Sequence, residues 1–244
     1  ALALVALGLF LVLLKIGRPW RFIYVLRQPQ RSWMTREAWI AAVFFPLAAF
    51  AIWLEARVLM IPTAIIGLLF LFSQAMILKE AKGIPAWRTP FIVPLMMATG
   101  ITEGCGLFLV FTALLPSLEP LVEKTAIAAV MLAAIRGWTW RSYVTALAIE
   151  GAPTRALDVL DTFRIWFLIF GLVVPVTLIA LGFVASNAGP ILFVLGGLSI
   201  CAAGVVLKFV IVTRAGWNQG FALTHTPLRG TGTAADEVTE QALD

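Results

Sequence analysis

Four polar side chains of this 244-residue chain fall inside or at the edge of long apolar runs: Glu37, Gln74, Glu103 and Lys208. In hydrocarbon-like surroundings each is costly unless paired, so each invites a chemical reading. Glu103 sits in Gly100-Ile101-Thr102-Glu103-Gly104-Cys105-Gly106, where small residues permit close helix packing and direct the carboxylate into a bundle. There it either relays protons from a cavity or makes an interhelical hydrogen bond that fixes packing. Gln74 reads as a buried helix–helix hydrogen bond and Lys208 as a cation snorkelling to the nearer interface. Thr35 is the expected helix N-cap, which sets Glu37 in a first turn where the dipole favours a carboxylate. A proton-exchanging role for Glu37 stands beside that account.

The inventory also limits the chemistry. His225 is the one histidine, placed in the polar tail, and Cys105 and Cys201 stand alone in apolar segments. A membrane haem held by two histidines and an iron–sulfur cluster held by four thiolates are both excluded within this chain. Each cysteine reads as a small buried apolar residue, and no metal site is expected.

These residues must be held by elements that tolerate hydrocarbon. With 61% hydrophobic and 13% charged residues, and a mean hydropathy of +0.98, the chain has about half the charge of a soluble domain. Apolar runs near 20 residues long read as spanning helices, because only internal hydrogen bonding satisfies the backbone there. Seven such runs are expected at 1–16, 37–54, 58–78, 90–115, 118–135, 163–186 and 189–213. The expectation is an all-α integral membrane bundle over 1–216, followed by a polar tail over 217–244. The first run is short and opens without methionine. It reads as the remnant of a longer helix, giving eight spans in the whole protein.

Alternating the runs across a membrane concentrates charge on one side. Six of eighteen basic residues, Lys15, Arg18, Arg21, Arg27, Arg31 and Arg36, crowd the connector between the first two runs. The 79–89 and 136–164 loops and the tail add nine more on that side, leaving only Arg57, Lys124 and Lys208 elsewhere. The positive-inside rule makes this basic side cytoplasmic, in the inner membrane of a cell. The net charge of +5 therefore describes loops beside lipid, not a nucleic-acid surface. Nearly all Trp and Tyr map to the basic side, Trp53 excepted. That asymmetry exceeds an interfacial belt and points to a protein-docking surface carrying Trp20, Arg21, Arg27, Trp87, Arg88, Trp138 and Trp140.

Three local patterns carry a family likeness. Gly17-Arg18-Pro19 follows the first run, Ser32-Trp33-Met34-Thr35-Arg36-Glu37 opens the second, and Ile84-Pro85-Ala86-Trp87 turns after the third. With the hydropathy profile, they resemble the dimethyl-sulfoxide-reductase-type membrane anchor subunits of the broader NrfD-like superfamily. The resemblance implies a haem-free bundle of about eight helices with a quinone site near the membrane surface, for menaquinone or ubiquinone. It also implies two partners, an iron–sulfur subunit and a molybdopterin-type catalytic subunit, which hold the cofactors this chain lacks.

Carried over residue by residue, the resemblance puts Glu37 at an acidic position associated with quinol binding. Lys15 stands where many members have histidine, so Lys-Ile-Gly departs from the family pattern. Arg18, Trp33, Arg36 and Gln74 complete the expected quinone pocket, and Glu103 extends a proton path toward midplane. A cytoplasmic basic surface implies a complex facing the cytoplasm, similar to phenylacetyl-CoA- or sulfite-oxidising enzymes. Two other readings stay open: a proton-coupled transporter using Glu103, against which the lack of internal repeats counts, and a purely structural anchor.

Overall fold

The computed structural model describes residues 2–15, 24, 26–185 and 187–217, with the side chains of Leu4, Lys15 and Pro116 excepted. Arg18, Trp20, Arg21, His225 and, beyond Trp217, the expected tail lie outside the described residues. Of Lys15 only the backbone, ending the first helix, is within them.

All described regular structure is helical. The helices are α1 (Leu2–Lys15), α2 (Trp33–Trp53), α3 (Arg57–Lys79), a single turn α4 (Pro85–Arg88), α5 (Ile92–Thr112) and α6 (Val122–Ile149). Then α7 (Thr154–Leu168) continues through a π-helical turn, Ile169–Val173, into α8 (Val174–Val184), and α9 (Gly189–Phe209) ends in a second π-helical stretch, Val210–Arg214. Five of these, α2, α3, α5, Thr154–Val184 and Gly189–Arg214, are long and apolar enough to cross a membrane. The expected seven are met only in that part: α1 has 14 residues, and α6, with 28, is too polar.

The main departure is at 136–164, expected as a loop with a surface helix. Instead α6 runs through Arg136 to Ile149, since nothing between them breaks a helix except Gly137. The break comes at Gly151-Ala152-Pro153. Gly151 adopts φ +70°, a conformation glycine takes without steric cost. The Ala152 N–H then closes onto the Leu147 carbonyl at 3.1 Å, and Pro153 precedes α7.

At the start of α2 the expected cap is also displaced. Ser32 is the N-cap, without a side-chain bond, and Thr35 lies buried inside the helix. Glu37 is thereby the fifth residue of α2, beyond the turn where the dipole acts.

Within the bundle α5 is central, packing most extensively on α9, then on α6 and α3, while α2 pairs with α3 and α8 with α9. No other helix packs extensively on α1. Backbones meet where side chains vanish. A Cβ on Gly106 would lie 2.8 Å from the Gly197 carbonyl oxygen, and one on Gly100 would lie 2.7 Å from Leu71.

Apolar packing divides into two clusters. One joins Trp140, Tyr143, Leu147, Leu160, Phe167, Ile92, Leu95, Leu207 and Ile211. The other joins Leu109, Ala126, Ala129, Ile179, Phe193 and Ile200. The first lies at the basic end, tied by Trp87 Nε1 donating to the Ile211 carbonyl at 2.9 Å, the Tyr143 hydroxyl donating to the Ala86 carbonyl at 3.0 Å, and Thr89 donating to Glu150 at 3.2 Å. Tyr143→Phe removes only the second of these bonds. It is expected to lower stability by about 1 kcal/mol in detergent unfolding while leaving the helix content unchanged.

Candidate functional site

The side of α2 carrying Met34, Glu37, Ala41 and Phe45 advances in steps of three and four residues, which places them on one helical face. That face, with Leu9, Phe10 and Leu13 of α1 and Leu26 of the connector, encloses a cavity of about 620 Å³. Among the described residues, Glu37 is the sole charged group lining it. Its carboxylate is half-buried and accepts a hydrogen bond from Gln74 Nε2 of α3 at 3.2 Å. The pair fixes a carboxylate at the wall of an otherwise apolar space, near the polar end of α2.

Trp33 and Arg36, expected beside Glu37, project from a different face. They line a separate groove of about 580 Å³ with Ile40, Leu69, Phe72 and Ser73. Trp33 meets Phe72 edge-on at 5.7 Å, and the Arg36 guanidinium stacks 4.2 Å above the Trp33 ring. Arg36 also donates to the Pro29 carbonyl at 2.8 Å and the Gln30 carbonyl at 3.0 Å. Trp39 Nε1 donates to the Leu26 carbonyl at 3.2 Å. These side chains pin residues 26–30 over α2, and through Leu26 they help close the cavity that Glu37 faces.

A second polar cluster lies between the two apolar clusters. Glu103 Oε2 accepts from Lys208 Nζ at 2.6 Å, so Lys208 is an ion-pair partner and not the expected snorkelling cation. A Cβ on Gly204 would overlap the Glu103 carboxylate, so glycine there makes its room. The Cys201 thiol donates to the Glu103 carbonyl at 3.5 Å.

Arg136 is fully buried. Its guanidinium donates to the Gly171 carbonyl at 2.5 Å and the Ile200 carbonyl at 3.2 Å, and it lies within electrostatic reach of Glu103. Gly171 belongs to the π-helical turn. The neighbouring Phe170 carbonyl accepts from Ser199 at 2.7 Å. The widened turn thus offers carbonyls to both α6 and α9, a use that fits the frequent placement of π-bulges at functional sites. Arg136 Nε and Glu103 Oε1 are buried without a hydrogen-bond partner among the described residues.

Sequence reasoning placed Arg136 on a loop and missed this role. The signal was present: Ala126, Ala129, Ala133, Arg136, Trp140, Tyr143 and Leu147 alternate steps of three and four, and all are buried. That stripe also corrects Trp140, which is 2% exposed and packs on Phe167 at 4.9 Å between ring centroids. It anchors the core and presents no docking surface. Trp87 is half-buried and Arg27, Arg88 and Trp138 are exposed. Arg27 stacks on Tyr24 at 4.5 Å.

The structure therefore joins Glu37 to Gln74, and Trp33 to Arg36, while Glu103 belongs to a separate interior cluster with Lys208 and Arg136. The chain matches no protein-family model, no curated protein and no solved structure.

Proposed function

We propose that this chain is a multi-pass membrane anchor that binds a quinone in the α1–α2 cavity and exchanges electrons between it and an iron–sulfur partner docked at the basic end. The observation that carries this reading is the Glu37 carboxylate, held by Gln74 on the wall of an apolar cavity of about 620 Å³. A lipid-soluble substrate with a small polar head needs that combination: apolar walls for the ring and tail, and one group to hand a proton to or take one from a ring oxygen. In the Gln74-bonded pair, Glu37 accepts when ionised and donates to substrate when protonated, so the same atom serves either direction.

The remaining parts of the reading rest on the resemblance to the dimethyl-sulfoxide-reductase-type membrane anchors. Cofactors for electron transfer belong to the partners, an iron–sulfur subunit and a molybdopterin-type catalytic subunit. Arg27, Arg88 and Trp138, all exposed, are suited to the docking face. In this reading α1 and α6 cross the membrane with the five apolar helices, and the basic end faces the cytoplasm.

In the assembled complex, Glu37→Gln is expected to lower quinone-coupled turnover about a hundredfold, the low end of general acid–base effects, with Glu37→Asp retaining part of it. Turnover with a soluble electron acceptor should be unchanged. Unchanged quinone-coupled turnover in Glu37→Gln would remove the site assignment.

The interior Glu103–Lys208 pair with Arg136 favours a second reading, proton-coupled transport through the bundle. Solute-driven proton uptake by the isolated chain in liposomes, abolished by Glu103→Gln, would establish it in place of the first.

A further inference from the structure

The helix Thr154–Val184 marks a membrane plane by its own composition. From Thr154 to Arg164 it carries Arg155, Asp158, Asp161 and Arg164, whereas Ile165–Val184 contains no charged residue. Those twenty residues span about 30 Å, the thickness of a hydrocarbon layer. Trp140 packs on both Phe163, at 5.9 Å, and Phe167, at 4.9 Å, so it lies level with that boundary. The part of α6 beyond it, from Arg141 onward, stands at headgroup height.

Here α6 and the start of α5 form an open groove of about 560 Å³ lined by Phe91, Trp138, Arg141, Ser142, Thr145 and Ile149, among others. Trp138 is 67% exposed on the hydrocarbon side of Arg141. The Arg141 side chain is exposed and makes no ion pair or hydrogen bond among the described residues. Among the described residues no carboxylate lines the groove. Glu150, just past its end, is engaged by the Thr89 hydroxyl at 3.2 Å.

We propose that this groove binds one anionic phospholipid, with the Arg141 guanidinium on its phosphate, the Thr145 hydroxyl beside the headgroup and the Trp138 ring along the upper acyl chain. The uncompensated cation supplies the preference for net negative lipid, and an arginine fork suits two phosphate oxygens at once. The inference rests on the membrane-spanning part of the proposed function and not on the quinone site.

The test is native mass spectrometry of the delipidated chain in mild detergent, titrated with phosphatidylglycerol or phosphatidylcholine. The wild type is expected to retain phosphatidylglycerol preferentially. Arg141→Gln should weaken that binding about fivefold, as loss of one cation at a lipid surface predicts, and Arg57→Gln, at the opposite end of the bundle, should not. Equal retention of the two lipids, or equal losses in both variants, would overturn the groove while leaving membrane insertion intact. A chain recovered without detergent in the soluble fraction would overturn insertion itself.

Discussion

Glu103→Ala is expected to cost about 1–3 kcal/mol of stability, the range for leaving a buried polar group without its partner. The cost comes from what remains. Lys208 is partly exposed at its side chain and is free to swing away. Arg136 is 0% exposed and keeps its charge in any protein environment. Without Glu103 it is a buried cation neutralised only by the dipoles of the Gly171 and Ile200 carbonyls.

The pair is best measured by a double-mutant cycle in detergent unfolding. Arg136→Met should cost less in the Glu103→Ala background than in the wild type, because there it also removes a stranded charge while keeping most of the volume. If Arg136→Met costs the same with and without Glu103, the carbonyls suffice to hold Arg136 and the two residues are not coupled.

Gly197→Ala is expected to destabilise by roughly 1–3 kcal/mol, the cost of overpacking a tight core. The added Cβ would overlap the Gly106 carbonyl oxygen and press within 3.2 Å of the Leu109 Cβ. The carbonyl cannot turn aside without leaving its α5 hydrogen bond, so α5 and α9 must separate along their shared face. Gly104→Ala is the matched control in the same motif. Nothing lies within 4 Å of its added Cβ, so stability should stay within about 0.5 kcal/mol or rise slightly through helix propensity. Equal effects from the two variants would mean that the close approach of α5 and α9 does not limit stability.

These variants also show where sequence reasoning stops. Gly100, Gly104 and Gly106 read alike as one small-residue motif, yet Gly100 meets Leu71, Gly106 meets Gly197 and Gly104 faces open space. Helical spacing distinguishes faces but does not name the partner on each. In the same way Lys208 read as a snorkelling cation, because its stem can reach the nearer interface. Its actual partner is 105 residues away in sequence, and only the antiparallel setting of α5 and α9 brings the two together.

By itself the sequence determined the helical architecture and the apolar runs, since hydropathy is a local property. It also marked Glu37, Gln74 and Glu103 as the polar groups needing partners. Tertiary structure alone decided that Glu37 pairs with Gln74 across two helices, that Trp33 and Arg36 turn to another groove, and that Arg136 and Trp140 are core residues. The physical reason is the same throughout: a buried polar group must be satisfied, but which group satisfies it depends on how helices distant in sequence are set against one another.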